Sequence, residues 1–265
     1  MTLHHKGLGP IAAFTALLGF ASPAVAQSLG AATSFAIEAT AGVTAAGGAG
    51  TVITGDVGTS PSASITGFPP ALVVAPFGLH ANDAAAIASG AAVTALYTEL
   101  NLGTCTTTPG AQMAAINFTP GIHCFSSSAD LAASASMTLT GAGTYIFRVP
   151  SSLTANVLST VTLAGVNACN VFWQVGSAAT LNGANFPGNV VAQAGVTLGV
   201  SAALTGRALV TAGPVTLSGT NTIAGCSTGV PTLSEWAVIG LSVLLALAGF
   251  AAMRRRSRGV LSAGR

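Results

Sequence analysis

Ala179-Thr180-Leu181-Asn182-Gly183, Val196-Thr197-Leu198-Gly199 and Val215-Thr216-Leu217-Ser218-Gly219 are three copies of one short unit. The same Thr-Leu pair stands at Thr138-Leu139 and Thr162-Leu163, and glycine follows every pair, at Gly141, Gly165, Gly183, Gly199 and Gly219. The leucines lie 24, 18, 17 and 19 residues apart. Short β-type runs closed by Gly at a near-constant period of this size indicate a β-solenoid, in which each coil stacks on the last. Side chains alternate along a strand, so Leu enters the core while Thr faces out. Stacking then sets the outward Thr138, Thr162, Thr180, Thr197 and Thr216 in a file, about 4.8 Å apart. Thr is a good β-former on any exposed strand. That explains its abundance but not its shared register with Leu.

Working outward, Tyr145-Ile146-Phe147, Val171-Phe172-Trp173 and Asn189-Val190-Val191 are further β-type runs between the pairs. Ahead of the repeat, 34–37, 51–57 and 64–66 read as strands, broken by Gly47-Gly48, Pro61 and Pro69-Pro70. From Asp83 to Leu100 the chain is Ala-rich and free of Pro, with Ile87, Ala91, Leu96 and Leu100 roughly on one face and Asn82 as N-cap. We expect one helix over 83–100, a buttress along the solenoid. The stretch 104–129 is expected to form a cap or loop region before the repeat resumes.

Both ends carry targeting signals. His4, His5 and Lys6, an apolar run from Ile11 to Phe20, and Ala24-Val25-Ala26 before Gln27 read as a secretory leader over 1–26, cut by signal peptidase. Val230-Pro231-Thr232-Leu233 is followed by an uncharged apolar run, 236–253, and by Arg254-Arg255-Arg256-Ser257-Arg258. That run is just long enough to span a bilayer, with the basic cluster on the cytoplasmic side. The segment 230–265 resembles the C-terminal sorting signals of Gram-negative bacteria whose motif reads Ile-Pro-Thr-Leu, with Val230 in place of Ile. The resemblance implies that a membrane protease-transpeptidase removes the tail after transient anchoring in the inner membrane, delivering the body to the cell surface or beyond. An ordinary single-pass anchor is the alternative.

The body, 27–229, is one domain. Its charges are Glu38, Asp56, Asp83, Glu99 and Asp130 against Arg148 and Arg207, a net of −3, whereas the whole chain is +2 because of its termini. Such a chain cannot neutralise phosphates, so nucleic acid is excluded as a partner. Glycan cleavage needs paired carboxylates, and these are isolated in sequence. Asp56 follows Thr54-Gly55 in a turn, where capping backbone is its expected job, and Asp83 falls in the first helical turn. Arg148 and Arg207 are expected to meet carboxylates or coil carbonyls. His80 and His123, the histidines left after the leader, stand in no catalytic motif. No enzyme activity, cofactor or metal is expected. Cys105, Cys124, Cys169 and Cys226 include no Cys-x-x-Cys pair and suit two disulfides in an exported chain. Sequence permits three pairings; proximity favours Cys105–Cys124, which leaves Cys169–Cys226.

Leu29-Gly30-Ala31-Ala32-Thr33-Ser34-Phe35-Ala36, 51–58 (TVITGDVG), 65–70 (ITGFPP), 168–176 (ACNVFWQVG) and 204–209 (LTGRAL) occur in the order seen in the DUF3494 family of microbial ice-binding proteins, which the stretch 28–226 resembles. The resemblance implies a mainly β fold: a right-handed β-solenoid of triangular section, its coils discontinuous in sequence, with one long helix alongside. It also implies adsorption to an ice crystal surface through one flat face. The candidate face holds the Thr138, Thr162, Thr180, Thr197 and Thr216 file; Thr54, Thr66, Thr140 and Thr205, each before Gly, form a competing file. Strongly active members often carry Thr-(Ala or Gly)-x-(Thr or Asn) repeats. This chain has none, Ser218-Gly219-Thr220-Asn221 coming nearest, so inhibition of recrystallisation is expected over strong depression of freezing. A surface or matrix adhesin with the same fold is the alternative function. Intact-mass analysis of protein from the native host should show a chain beginning at Gln27 and lacking the residues after Pro231-Thr232. A mass that retains Arg254 to Arg256 would leave only the plain anchor.

Overall fold

The computed structural model describes residues 27–47, 50–226 and 242, so the leader and nearly all of the sorting tail, with the span expected at 236–253, lie outside the described residues. Among the described residues no helix is long and apolar enough to cross a membrane.

After a 3-10 turn at Gly30–Ala32 come β1 (Phe35–Ala39), β2 (Gly42–Ala46), β3 (Val52–Thr54), β4 (Asp56–Thr59), β5 (Ile65–Thr66), β6 (Leu72–Val73) and β7 (Leu79–Ala81). Helix α1 (Ala84–Glu99) leads to β8 (Asn117–Phe118), β9 (Gly121–Cys124) and β10 (Ala129–Leu131). The expected repeat occupies β11 (Ser136–Thr140), β12 (Tyr145–Val149), β13 (Leu153–Ala155), β14 (Thr160–Ala164), β15 (Val171–Val175) and β16 (Ala178–Leu181). It ends with β17 (Asn185–Ala192), β18 (Gly195–Leu198), β19 (Ala203–Val210), β20 (Pro214–Ser218) and β21 (Thr222–Ala224).

Successive strands occupy successive sides of a coil, and every ladder between coils is parallel. The first face runs β8-β11-β14-β17-β19-β21-β3-β6. The second runs β9-β12-β15-β17-β19-β1-β4-β7, sharing β17 and β19 with the first, and together they make a 14-stranded sheet. The third face is a separate 7-stranded sheet, β10-β13-β16-β18-β20-β2-β5. This is the expected β-solenoid, and its discontinuity is explicit. β21 and β1 both pair with β19, so one coil is assembled from opposite ends of the described chain. Beyond it stack the coils of β3 to β7; α1 then carries the chain back along the second face to the far end.

The inward residues form one continuous core. Along it Phe147 stacks on Trp173 at 4.1 Å between ring centroids and on His123 at 5.0 Å, while Phe186 sits tilted against Trp173 at 4.7 Å. Outward Ile146, Phe172, Val191 and Leu209 of the second face are buried by Val93, Leu96 and Leu100 of the helix and by Leu29 and Ala32. The helix is therefore the expected buttress. Two details differ from expectation. Its N-cap is Asp83, whose Oδ1 accepts from the Ala86 N–H at 2.9 Å, not Asn82, which sits at φ 52° and accepts from the Ser60 hydroxyl. Its inner side carries Ala86 and Ser89 where Ile87 was expected, and Ile87 is 53% exposed. An Ala-rich helix has little apolar stripe to orient it, so small residues face the sheet and let it approach closely. The region expected as a cap, 104–129, is itself a terminal coil, tied by the Cys105–Cys124 disulfide.

Glycine is required where β17 and β19 turn from the first face to the second. Gly188 and Gly206 are in register at φ 112° and 154°, and a Cβ on Gly206 would lie 1.9 Å from the Gly188 carbonyl oxygen. No rotamer change relieves a clash with backbone. Gly206→Ala should cost at least about 2 kcal/mol, seen as a lower Tm in thermal unfolding; an unchanged Tm would show that this corner can widen.

Candidate functional site

With the second face covered by α1, the first and third remain open. The third presents one outward residue per strand at its centre: Thr154, Thr180, Thr197, Thr216, Thr44 and Thr66, in ladder register from coil to coil. Thr44 and Thr66 are exposed and the others half-buried, since each is flanked by its neighbours. The Thr66 hydroxyl donates to that of Thr44 at 3.3 Å. On one side the file is bordered by Ala178, Gly195, Pro214 and Gly42, residues too compact to rise above it. Asp130 ends the file in register with Thr154, its carboxylate accepting from Gln112 Nε2 at 2.9 Å and Asn156 Nδ2 at 3.0 Å.

The expected file is thus split. Thr180, Thr197 and Thr216 lie on the third face, but Thr138 and Thr162 lie on the first, in register with each other. The competing file divides the same way: Thr66 joins the third face, while Thr54, Thr140 and Thr205 join the first. The cause is metric. Thr162 and Thr180 belong to one coil, 18 residues apart on different sides, and that spacing equals a coil period. The file on the first face is broken, because Thr205 is flanked in register by buried Pro187 and by Ala224. Thr154 and Thr44 escaped the sequence reading because Ala, not Leu, follows them. An apolar-Thr-small key, as in Leu153-Thr154-Ala155 and Val43-Thr44-Ala45, finds them.

The charges gather around the helix-covered side. Asp56, separate in sequence from Asp83, meets it across His80. Asp83 Oδ2 lies 2.8 Å from His80 Nδ1, and Asp56 Oδ1 lies 3.6 Å from Nε2. Both ring nitrogens face carboxylates, so His80 has none left to activate a hydroxyl. Asp56 also accepts from the Gly78 N–H, the backbone role expected of it. Glu38 is 1% exposed, packed over Gly58 and beneath Ser89 and Gly90 of α1. At the other end of the helix Arg148 donates to the carbonyls of Leu100, Gly103 and Leu102; Arg207 donates to those of Thr33 and Cys226. His123 is buried between Thr107 Oγ1 and the Thr119 carbonyl. No group of three or more His, Cys, Asp or Glu residues placed to hold a metal occurs among the described residues. Cys169 and Cys226 are adjacent as expected but stand as thiols, so the second disulfide is not formed in this structure. There the two thiols lie beside each other and beside the Arg207 guanidinium, with no bond between the sulfurs.

The ice-binding-like family matches residues 37–224. The chain belongs to that family. An ice-binding protein of Nostoc sp. (strain HG1) is 33% identical over 225 residues, covering 82% of this chain and 81% of that one. Solved family members superpose on the solenoid. The ice-binding protein of the Antarctic ascomycete Antarctomyces psychrotrophicus gives a TM-score of 0.70 at 32% identity, over 77% of this chain and 99% of that one. One from an Antarctic biological consortium gives 0.69 at 34% identity, over 74% and 89%. Residues 228–255 match the IPTL-CTERM motif, around Val230 to Leu233.

Burial raises the Glu38 carboxyl to about 7, opposed by the nearby Ser89 side chain and the charge of His80. Burial lowers His80, but the hydrogen bond and charge of Asp83, then Asp56, outweigh it and raise its pKa. In both cases the folded state holds its proton more tightly than the unfolded chain. Stability is then greatest below the unfolded values and falls as pH rises through the folded ones. For Glu38 the window runs from about 4.5 to about 7, worth at most about 3 kcal/mol. Thermal melts should show Tm falling from pH 5 to pH 8. Glu38→Gln, which keeps the shape without the charge, should flatten most of that slope; an undiminished slope would place the responsible group elsewhere.

Proposed function

We propose that this protein adsorbs to ice through the third face and thereby inhibits ice growth and recrystallisation. The observation that carries this is the unbroken file Thr154, Thr180, Thr197, Thr216, Thr44 and Thr66 on an uncovered parallel sheet. Family membership supports it, as do the relatives whose names record ice binding. Methyls and hydroxyls repeat about 4.8 Å apart across coils, with outward positions about 6.6 Å apart along each strand. Such a grid can hold water in an ice-like arrangement that merges with the lattice. A charge would order water around itself instead, and Asp130, at the end of the file, marks its limit. Many weak contacts form together, so adsorption is effectively irreversible. The ice front must bulge between pinned molecules, and its curvature lowers the local freezing temperature. No reactive group takes part.

The reading includes export: a leader removed before Gln27 by signal peptidase, and a sorting tail recognised by a protease-transpeptidase of a Gram-negative envelope, passing through the inner membrane. The tail's match to the IPTL-CTERM motif supports surface display. Display also favours the second reading, an adhesin on the same scaffold.

A recrystallisation assay on residues 27–229 separates these readings. Thr197→Tyr, at the centre of the third face, should abolish most of the activity, while Tm stays near that of the parent because the change is at the surface. Thr162→Tyr, on the first face, should leave activity intact. The reverse result would move the site to the first face. Failure of the unsubstituted domain to inhibit recrystallisation would leave the adhesin.

A further inference from the structure

Cys169 and Cys226 meet at the edge between the first and second faces. Cys169 lies in a 3-10 turn, Ala168–Asn170, that enters β15; Cys226 follows β21. They pack with Ala168 in a small cluster of their own, apart from the solenoid core, and are 7% and 8% exposed. In the stack, β17 and β19 lie between β15 and the coil that β21 shares with β1. The cysteine contact therefore crosses two coils.

The surroundings fix both partners. The Asn189 amide donates to the Cys169 carbonyl at 3.0 Å, and Arg207 donates to Asn189 Oδ1 at 2.9 Å. The same guanidinium donates to the carbonyls of Cys226 at 2.8 Å and Thr33 at 2.6 Å. It is 1% exposed, so a buried cation sits against two sulfurs. The hydrogen bond from Cys226, and then the positive charge of Arg207, lower the Cys169 thiol to about 7 against the opposing effect of burial. The Cys226 thiol is pushed up, first by its hydrogen bond to Cys169 and then by burial. One thiol of the pair is thus the better nucleophile at neutral pH. A cavity of about 230 Å³ lined by Thr33, Phe35, Phe77, Arg207 and Cys226 opens beside the Cys226 end of the pair.

We propose that Cys169 and Cys226 are an oxidation site, whose disulfide clasps β21 across β17 and β19 at the point where the sorting tail, 228–255, leaves the domain. The oxidant is an external disulfide. The Cys169 thiolate attacks one of its sulfurs, forming a mixed disulfide and expelling a thiolate. Cys226 then loses its proton and attacks Sγ of Cys169, expelling the second thiolate. The pair gives up two electrons and two protons, and the oxidant becomes two thiols. Without the bond, tension on the tail peels β21, a three-residue strand, from β19 and β3 one hydrogen bond at a time. With it, tension passes to the turn before β15, deep in the stack. The clasp is independent of whether the third face binds ice.

The test uses the exported domain, unfolded in the presence of an alkylating agent without reductant, after exposure of the folded protein to oxidised glutathione. Peptide mapping should recover a 169–226 linked peptide beside the 105–124 one. Alkylation of both Cys169 and Cys226 after that exposure would overturn the proposal. Hydrogen exchange reads the consequence: amides of 222–226 should exchange faster in Cys169→Ser than in the oxidised parent, with 105–124 intact in both. If the variant fails to fold, mild reduction of the parent that opens 169–226 alone gives the same comparison. Equal protection with and without the bond would overturn the clasp.

Discussion

Parallel in-register pairing of very short strands governs the rest of this molecule. A strand of three to five residues cannot hold itself. Each acquires its shape only because the coil above and the coil below satisfy its backbone along both edges. That requirement fixes the circumference of every coil and with it the columns of side chains. Phe147 and Trp173 stack because their strands are in register, and the outward threonines align for the same reason. The same requirement explains the contact between chain ends. β19 would present an open edge if β21 and β1 did not cover it. The N-terminal strands therefore close the C-terminal coil before extending the stack, and the helix is the return path this arrangement demands.

Charge follows the same geometry. With so few ionised side chains, their placement decides which sides of the prism meet water through fixed charges. Asp56, His80 and Asp83 converge at the start of the helix, and Arg148 secures the loop just after it. Glu38 fills the space that Gly58 leaves beneath the helix. Each ties the helix to the second face or shapes its ends. Apart from Asp130 at the end of the threonine file, the third face is left to hydroxyls, amides and methyls.

Much of the architecture was legible from residues alone. The Thr-Leu-Gly units marked coils and Pro-free alanine marked the helix. Of the two basic groups expected to meet carboxylates or coil carbonyls, both reached backbone carbonyls, Arg148 those of the loop after the helix. The face was not legible. One side of a coil to another spans nearly the same number of residues as one coil to the next, so Thr162 and Thr180 looked like successive rungs. Keying on Leu rather than on the alternation hid Thr44 and Thr154. The carboxylates looked scattered because His80, which joins two of them, lies 24 residues beyond Asp56 and on a different coil. Disulfide pairing followed proximity for Cys105 and Cys124. For Cys169 and Cys226 sequence found the neighbours but could not register the arginine beside them.

The termini of the described domain share an edge. Thr33 and Cys226 are held by one guanidinium where the first face meets the second. In a three-sided prism the third face lies opposite that edge. A rod tethered there would lie broadside rather than stand upright from one end, with its threonine side turned outward. Neighbouring molecules fixed in the same manner would pave an envelope with a common orientation, each offering its full length to whatever solid approaches from outside.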